Sequence, residues 1–487
     1  MRNKTATHAS PAEKSIHAKS IAGAASYFFR TLLVQGIGLV SVLVLSYYFS
    51  PEDFGLYGLV IQVIGILVFF SDIGLAATLV QKEEEPTLEE YRLAFTIQQL
   101  LSWAIVLVII GLYQVPILQD RLGQVGFLIL LSLGFSFPLA ALKTIPSVML
   151  ERRLAFSKLV IPQIVEQVVF HAALIALAIS DFGVLSYAPA ILARSISGVL
   201  VLASIQWWPI GFSFHFSKLK SLLGFGVKFQ LNDFLARIKD QLFYLVLVFF
   251  LSPREFGYIQ WAKSWSMYPY NLTVQNIMAV TFPAFSRLQN DKKALAKGIE
   301  SSLFFITLVI FPIIVGMCVF IIPTLRVFTE YSKWLPAASS LIFFTLSIGW
   351  SALSSPLTNA LNAIGEINKT LQLMIMWTVL VWVVTPLFVW WQGYQGVALA
   401  AFVISWSSAL SVTMLKRFVP FHFLETFWRQ LVAAGCMALV GMVGWGWWSQ
   451  GVGQLLFGMM LLACTYMVVF WIVGNSKLRQ EISLLKE

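Results

Sequence analysis

Seven basic side chains interrupt the long apolar runs of this chain: Arg30, Lys143, Arg194, Lys228, Arg237, Lys239 and Lys263. Four acidic ones do the same: Asp72, Glu166, Asp233 and Asp240. A charge at the centre of a membrane helix costs about 2.5–3.5 kcal/mol on insertion scales, so it ordinarily faces a partner or a watery cavity. The imbalance gives the interior a positive bias. The densest stretch, FGVKFQLNDFLARIKDQLFYLVLVFF, covers residues 225–250. At about 100° per residue, Lys228, Asn232 and Lys239 share one stripe of a helix, and Asp233, Arg237 and Asp240 share another. Arg237 can be neutralised within its own helix, whereas the lysine stripe cannot, so Lys228 and Lys239 are expected to line a water-filled cavity. The competing arrangement lays residues 225–240 flat at the interface as an amphipathic helix. For Lys143, Arg194 and Lys263, snorkelling towards the head groups accounts for the charge as well as ligand binding does.

The acids suggest different chemistry. Asp72, in FFSDIGLAATLVQ, sits deep in an apolar run. It is a candidate proton- or sodium-coupling carboxylate, or a kink and helix-contact residue beside Gly74. Glu166, in PQIVEQVVFH, follows Pro162 by one turn, and His171 comes five residues later. That spacing does not put the pair on one helix face, so no proton relay is expected. The histidines (His8, His17, His171, His215 and His422) form no close pair, and the cysteines (Cys318, Cys436 and Cys464) all lie in apolar runs. Neither pattern gives a disulfide framework or metal-ligand spacing. No cofactor or metal is expected.

What must position these charges is a set of membrane spans. The chain is 58% hydrophobic, has a mean hydropathy of +0.80 and is 11% charged, against about 25% charged in a soluble protein. Runs near 20 residues cross a bilayer core about 30 Å thick. They are expected near 26–49, 54–81, 93–113, 124–150, 159–180, 183–205, 224–250, 255–285, 299–325, 335–363, 370–391, 394–415, 429–448 and 452–474. The basic first 20 residues read as a cytoplasmic tail, because a cleavable signal would place its short apolar core earlier. With that start, only Arg121, Arg254, Arg326 and Lys333 of the 33 basic residues fall in outer loops. This asymmetry supports about fourteen transmembrane helices with both termini inside. The net charge of +10 then reflects inner loops facing anionic membrane lipid, not nucleic acid.

The halves repeat a motif. FSPEDFGLYG at 49–58 and LSPREFGYIQ at 251–260 each follow the first span of a half. Each is read as a tight outer turn, with Pro starting the turn and Gly opening the next helix. Both halves start from the cytoplasm, which implies a parallel repeat about the membrane normal. The expected organisation is a cytoplasmic tail (1–25), an N-lobe of helices 1–6 (26–205) and an inter-lobe linker (206–223). A C-lobe of helices 7–12 (224–415), a linker (416–428), helices 13–14 (429–474) and a cytoplasmic tail (475–487) complete it. The fold class is thus an all-α integral membrane protein of two six-helix lobes plus two C-terminal helices. No loop is long enough for a soluble catalytic domain, and no Gly-rich phosphate loop is present. Enzyme readings lose their support, including that of a polysaccharide synthase.

The stretches FSPEDFGLYGL, FSDIGLAATLVQ, LERRLAFSKLVIP, FPAFSRLQND and LNAIGEINKTLQL resemble the polysaccharide flippase family, of the exopolysaccharide or colanic-acid type. That family lies in the multidrug/oligosaccharidyl-lipid/polysaccharide exporter superfamily. The resemblance runs through residues 20–475 or so. It implies two lobes around a cationic cavity and a flippase that moves undecaprenyl-diphosphate-linked oligosaccharides across the bacterial inner membrane, for exopolysaccharide or lipopolysaccharide O-antigen assembly. The intramembrane charges supply the expected substrate-binding set, Lys228, Lys239, Arg237, Arg30, Lys143, Arg194 and Lys263 together with Asn232, with Asp72 as the ion-coupling candidate. The resemblance implies function as a monomer, next to glycosyltransferase and polymerase machinery. Basic side chains in a low-dielectric cavity attract a diphosphate strongly, and Arg grips it bidentately. Trp261, Trp265, Tyr268, Tyr270 and Tyr244 could stack on sugars, although interfacial aromatic belts explain most such residues. Two rivals share the fold. A cation-coupled multidrug exporter would want acids in the cavity, and a lipid II flippase would carry a different sugar on the same diphosphate.

Overall fold

The computed structural model describes residues 11–71, 74–214 and 241–484. Every regular element among them is helical, because a helix satisfies its backbone polar groups internally where no water can do so. The first unit comprises residues 1–49 and 56–253. It contains α1 (Pro11–Tyr48), most of α2 (Pro51–Leu67), α3 (Leu75–Gln81), α4 (Leu88–Leu112), α5 (Pro116–Arg152), α6 (Phe156–Ile179), α7 (Tyr187–Ile205) and α8 (Phe243–Phe250). The second unit comprises residues 50–55 and 254–487. Its helices are α9 (Pro253–Leu288), α10 (Lys292–Val327), α11 (Ala338–Ala363), α12 (Ile367–Gln392), α13 (Gln395–Ser405), α14 (Ala409–Lys416), α15 (Phe423–Val443), α16 (Trp445–Trp448) and α17 (Val452–Leu484).

Twelve helices among the described residues are long and apolar enough to cross a bilayer. They correspond to the expected spans except the seventh and eighth. The charged half of the seventh, residues 224–240, lies outside the described residues, and α8 is its apolar end. The eighth is α9, a continuous helix of 36 residues. Its Gln, Asn, Tyr and Lys residues hold it below the hydropathy of an ordinary span, yet it coincides with the span expected at 255–285.

The Ser-Pro repeat differs from the turn expected of it. Pro51 and Pro253 are the first residues of α2 and α9, the position where a missing N–H costs nothing. Gly55 and Gly257 therefore lie inside the helices, not at their openings. Ser50 and Asp53 cap each other: the Ser50 N–H and Oγ donate to Asp53 Oδ2 at 2.8 and 2.9 Å, and the Asp53 N–H donates to Ser50 Oγ at 3.2 Å. The same logic starts α4, where Thr87 and Glu90 form a capping box. Within the second unit the two repeats touch. A Cβ on Gly257 would lie 1.7 Å from the Pro51 carbonyl oxygen, so only glycine permits this backbone approach. Phe54 packs edge-on against buried Trp334, which stacks face to face on Trp261 at 4.8 Å. Trp261 is accordingly a core residue and not part of an interfacial belt.

The second span is interrupted. After α2 a short 3-10 segment, Val68–Phe70, leads to Gly74 in the left-handed region (φ 81°), and α3 resumes. Arg152 secures the far end of α3, donating to the carbonyls of Leu79, Val80 and Lys82 at 2.8, 3.1 and 2.6 Å and to that of Glu84 at 2.9 Å. One guanidinium thereby satisfies carbonyls that a helix C-terminus leaves orphaned. Around it Leu75, Leu79, Phe95, Ile145 and Trp208 form the core of this part of the first unit. In the second unit α10 packs against α15 and α17 through Phe304, Phe320, Met437, Leu462 and Phe470.

Candidate functional site

Three consecutive helices of the first unit bring Lys143, Glu166 and Arg194 together. Helices α5, α6 and α7 pack against one another, and Leu150, Leu159 and Leu202 seal the end they share. From that end Lys143 lies nine residues up α5, Glu166 ten residues up α6 and Arg194 eleven residues up α7. At 1.5 Å per residue these are depths of about 14–16 Å, half the thickness of a bilayer core. The three charges therefore meet at one level. Glu166 Oε1 is bonded to Lys143 Nζ, and its Oε2 lies 3.8 Å from Arg194 Nε.

Local sequence explains the fit. Lys143 stands between Pro138 and Pro146, and Glu166 follows Pro162; each proline opens the helix ladder one turn back and bends its helix. Gly198, one turn beyond Arg194 on the same face of α7, makes room for the carboxylate: a Cβ there would lie 1.8 Å from Glu166 Oε1. Arg194 also lies over the Phe170 ring at 5.7 Å and within electrostatic reach of His171 and Tyr57. The side chains of Glu166 and Lys143 are 12% and 21% exposed, that of Arg194 40%. The buried carboxylate thus has two cationic neighbours, and one of them presents a large accessible surface. The cluster carries a net positive charge, and an accessible guanidinium at this depth calls for water or an anion.

Of the residues expected to bind ligand, then, Lys143 and Arg194 converge through Glu166. Arg30, on α1 of the same unit, keeps a buried Nε without a hydrogen-bond partner. Lys263 belongs to α9 in the second unit, and its carbonyl accepts from Ser266 Oγ at 2.9 Å. On that helix Trp265 Nε1 and Asn271 Oδ1 are likewise buried without partners, while Tyr270 Oη is 2.8 Å from Ser355 Oγ. Asp72, Lys228, Asn232, Arg237 and Lys239 lie outside the described residues. Among the described residues no His, Cys, Asp or Glu group could hold a metal ion, and the three cysteines are free. Gly198 is the member that sequence reading does not single out; Glu166 it singles out as an intramembrane acid, without linking it to Lys143 or Arg194. No local spacing links residues on three separate helices.

Twelve helices long and apolar enough to cross a bilayer among the described residues, with an ion cluster between three of them, define a polytopic membrane protein. The comparisons make the class specific. Residues 44–339 match the family described as "Polysaccharide biosynthesis protein", and the chain belongs to that family. It is 21% identical over 336 residues to the succinoglycan biosynthesis transport protein ExoT of Rhizobium meliloti (strain 1021), covering 68% of this chain and 66% of that relative. Its fold is similar to that of the lipid II flippase MurJ in an inward closed conformation, with a TM-score of 0.73 and 17% identity over 95% of this chain and 100% of the other. It is also similar to an inward-facing multidrug resistance MATE family transporter of the MOP superfamily, with a TM-score of 0.55 and 17% identity over 80% and 96% of the two chains. The protein is a multi-pass membrane protein of that polysaccharide biosynthesis family, with a fold similar to those of the two solved structures.

Proposed function

We propose that this protein is a flippase that moves undecaprenyl-diphosphate-linked oligosaccharide repeat units across the bacterial inner membrane by alternating access, feeding exopolysaccharide or O-antigen assembly. The observation that supports this most is the net positive cluster of Lys143, Glu166 and Arg194 at mid-depth, with Arg194 accessible. A diphosphate is the part of such a substrate least able to cross hydrocarbon. Cations already held in a low-dielectric interior offset its desolvation. Arg30 and Lys263, with Lys228, Lys239, Arg237 and Asn232, complete the proposed binding set. The names of the relatives agree in substrate chemistry: one serves succinoglycan transport and another flips lipid II. A multidrug exporter for cations would be poorly served by this balance of charge.

Reconstitution tests the reading. Proteoliposomes holding the full chain and a fluorescent undecaprenyl-diphosphate oligosaccharide are treated with an impermeant glycosidase. Wild-type vesicles should expose the inner-leaflet substrate much faster than protein-free ones, and Arg194→Ala should lose that acceleration at equal protein content. Equal rates with and without protein would overturn the assignment.

A further inference from the structure

Glu166 has no place in a simple cationic binding site, because a fixed carboxylate competes with an anionic substrate for the same two cations. We infer that Glu166 is a resident counter-anion, which holds Lys143 and Arg194 while the site is empty and which the substrate diphosphate displaces. The inference rests on the flippase reading and assigns a specificity-determining role within it.

Three observations support displacement over a permanent structural pair. The two arms of the cluster are unequal: Lys143 is bonded to Oε1, whereas Arg194 stands 3.8 Å from Oε2, beyond ordinary hydrogen-bond range. Arg194 is also the more exposed cation, 40% against 21%, so an incoming anion meets a guanidinium whose attachment to Glu166 is already loose. The third is the cradle. Gly198 lies directly against Oε1, so the backbone of α7 reserves space for the carboxylate.

The two cations match a dianionic diphosphate in charge once the carboxylate is released. In the resting site one carboxylate faces two cations. A diphosphate bound bidentately to Arg194 and by one oxygen to Lys143 replaces one anion with a stronger one, as guanidinium and phosphate geometry favour. The released carboxylate remains tethered about one side-chain length away, so it re-forms the pairs when the phosphate leaves. Residence of the substrate is thereby limited, as a carrier requires, since affinity that is too high stalls release.

The test uses the purified full chain in nanodiscs, with two probes: inorganic pyrophosphate, and undecaprenyl diphosphate bearing the oligosaccharide. Glu166→Gln removes the competitor and should tighten binding of both probes about tenfold, while transport turnover falls. A merely structural Glu166 would give weaker or unchanged binding in the same variant, and that result overturns the inference. Wild-type protein supplies a reading that does not depend on the variant folding. Pyrophosphate should increase modification of Glu166 by a water-soluble carbodiimide, read by peptide mass spectrometry. Unchanged or reduced modification sinks the idea. If pyrophosphate binds with these signatures but the lipid-linked glycan does not, the exchange stands and the flippase reading fails. If the glycan binds with no change in Glu166→Gln, the reading stands and the exchange fails. Binding of neither probe to either protein removes both.

Discussion

Gly257→Ala adds one methyl group where two backbones already touch. The new Cβ would lie 1.7 Å from the Pro51 carbonyl oxygen, 2.6 Å from its carbon and 3.0 Å from the Gly55 nitrogen. Ordinary contact begins at 3.4 Å, so the first turn of α2 or the second turn of α9 has to retreat by well over ~1 Å. Neither yields easily. The turn of α2 is fastened by the reciprocal Ser50–Asp53 cap and by Phe54 against Trp334, while α9 is held by Trp261 stacked on the same Trp334. Overpacking costs about 1–3 kcal/mol, and with main chain on both sides the upper end applies. About 3 kcal/mol corresponds to roughly a hundredfold shift in the folded-to-unfolded ratio. Gly435→Ala on α15 is the matched control: nothing lies within 4 Å of its added Cβ, and alanine is the better helix former by about 1 kcal/mol. Heating detergent-purified protein and reading the surviving monodisperse peak gives apparent melting temperatures. Gly257→Ala should melt well below wild type and Gly435→Ala at or above it. If Gly257→Ala melts with wild type, the repeats do not meet as described.

Arg152→Lys should destabilise the first unit by about 1–3 kcal/mol, since an ammonium cannot reach the four carbonyls one guanidinium serves; the melting assay reads the loss. Lys239→Ala, and less completely Lys228→Ala, should abolish polymer export at unchanged abundance in the membrane, with Lys239→Arg retaining part of it; normal export by the alanine variants would remove both lysines from the binding set. In a background with Cys318, Cys436 and Cys464 replaced by serine, cysteines at Thr5 and Gln450 should label from opposite sides with an impermeant thiol reagent. Equal labelling from outside refutes cytoplasmic termini. Asp72→Asn should still bind substrate but lose its response to a proton or sodium gradient in counterflow; a wild-type response to both gradients removes Asp72 from coupling.

How much of this was legible beforehand follows from where each signal resides. Hydropathy is summed along a single helix, so spans such as Leu88–Leu112 and Phe156–Ile179 can be read without knowing their neighbours. α9 is a weaker case because its polar residues dilute the sum, yet a span was expected at 255–285, and the Ser-Pro repeat, a pattern also local to the chain, marks its start. The meaning of that repeat was not. Serine at the N-cap, proline at N1 and an acid two residues later are a helix start as much as a turn, and the need for glycine at 257 arises from Pro51, about two hundred residues away. The charged cluster sharpens the same distinction. Lys143 and Arg194 were legible as charges in costly places, but their surroundings were not, because snorkelling and ligand binding predict identical sequences. The third helix adds a partner that neither reading names. With Glu166 at the same depth, both cations have a reason to remain in the interior. Read alone on its own helix, that glutamate was judged against His171, the wrong neighbour. Intramembrane charges are therefore best weighed by depth across helices, since at about 14–16 Å from a common end three residues far apart in sequence become one chemical group.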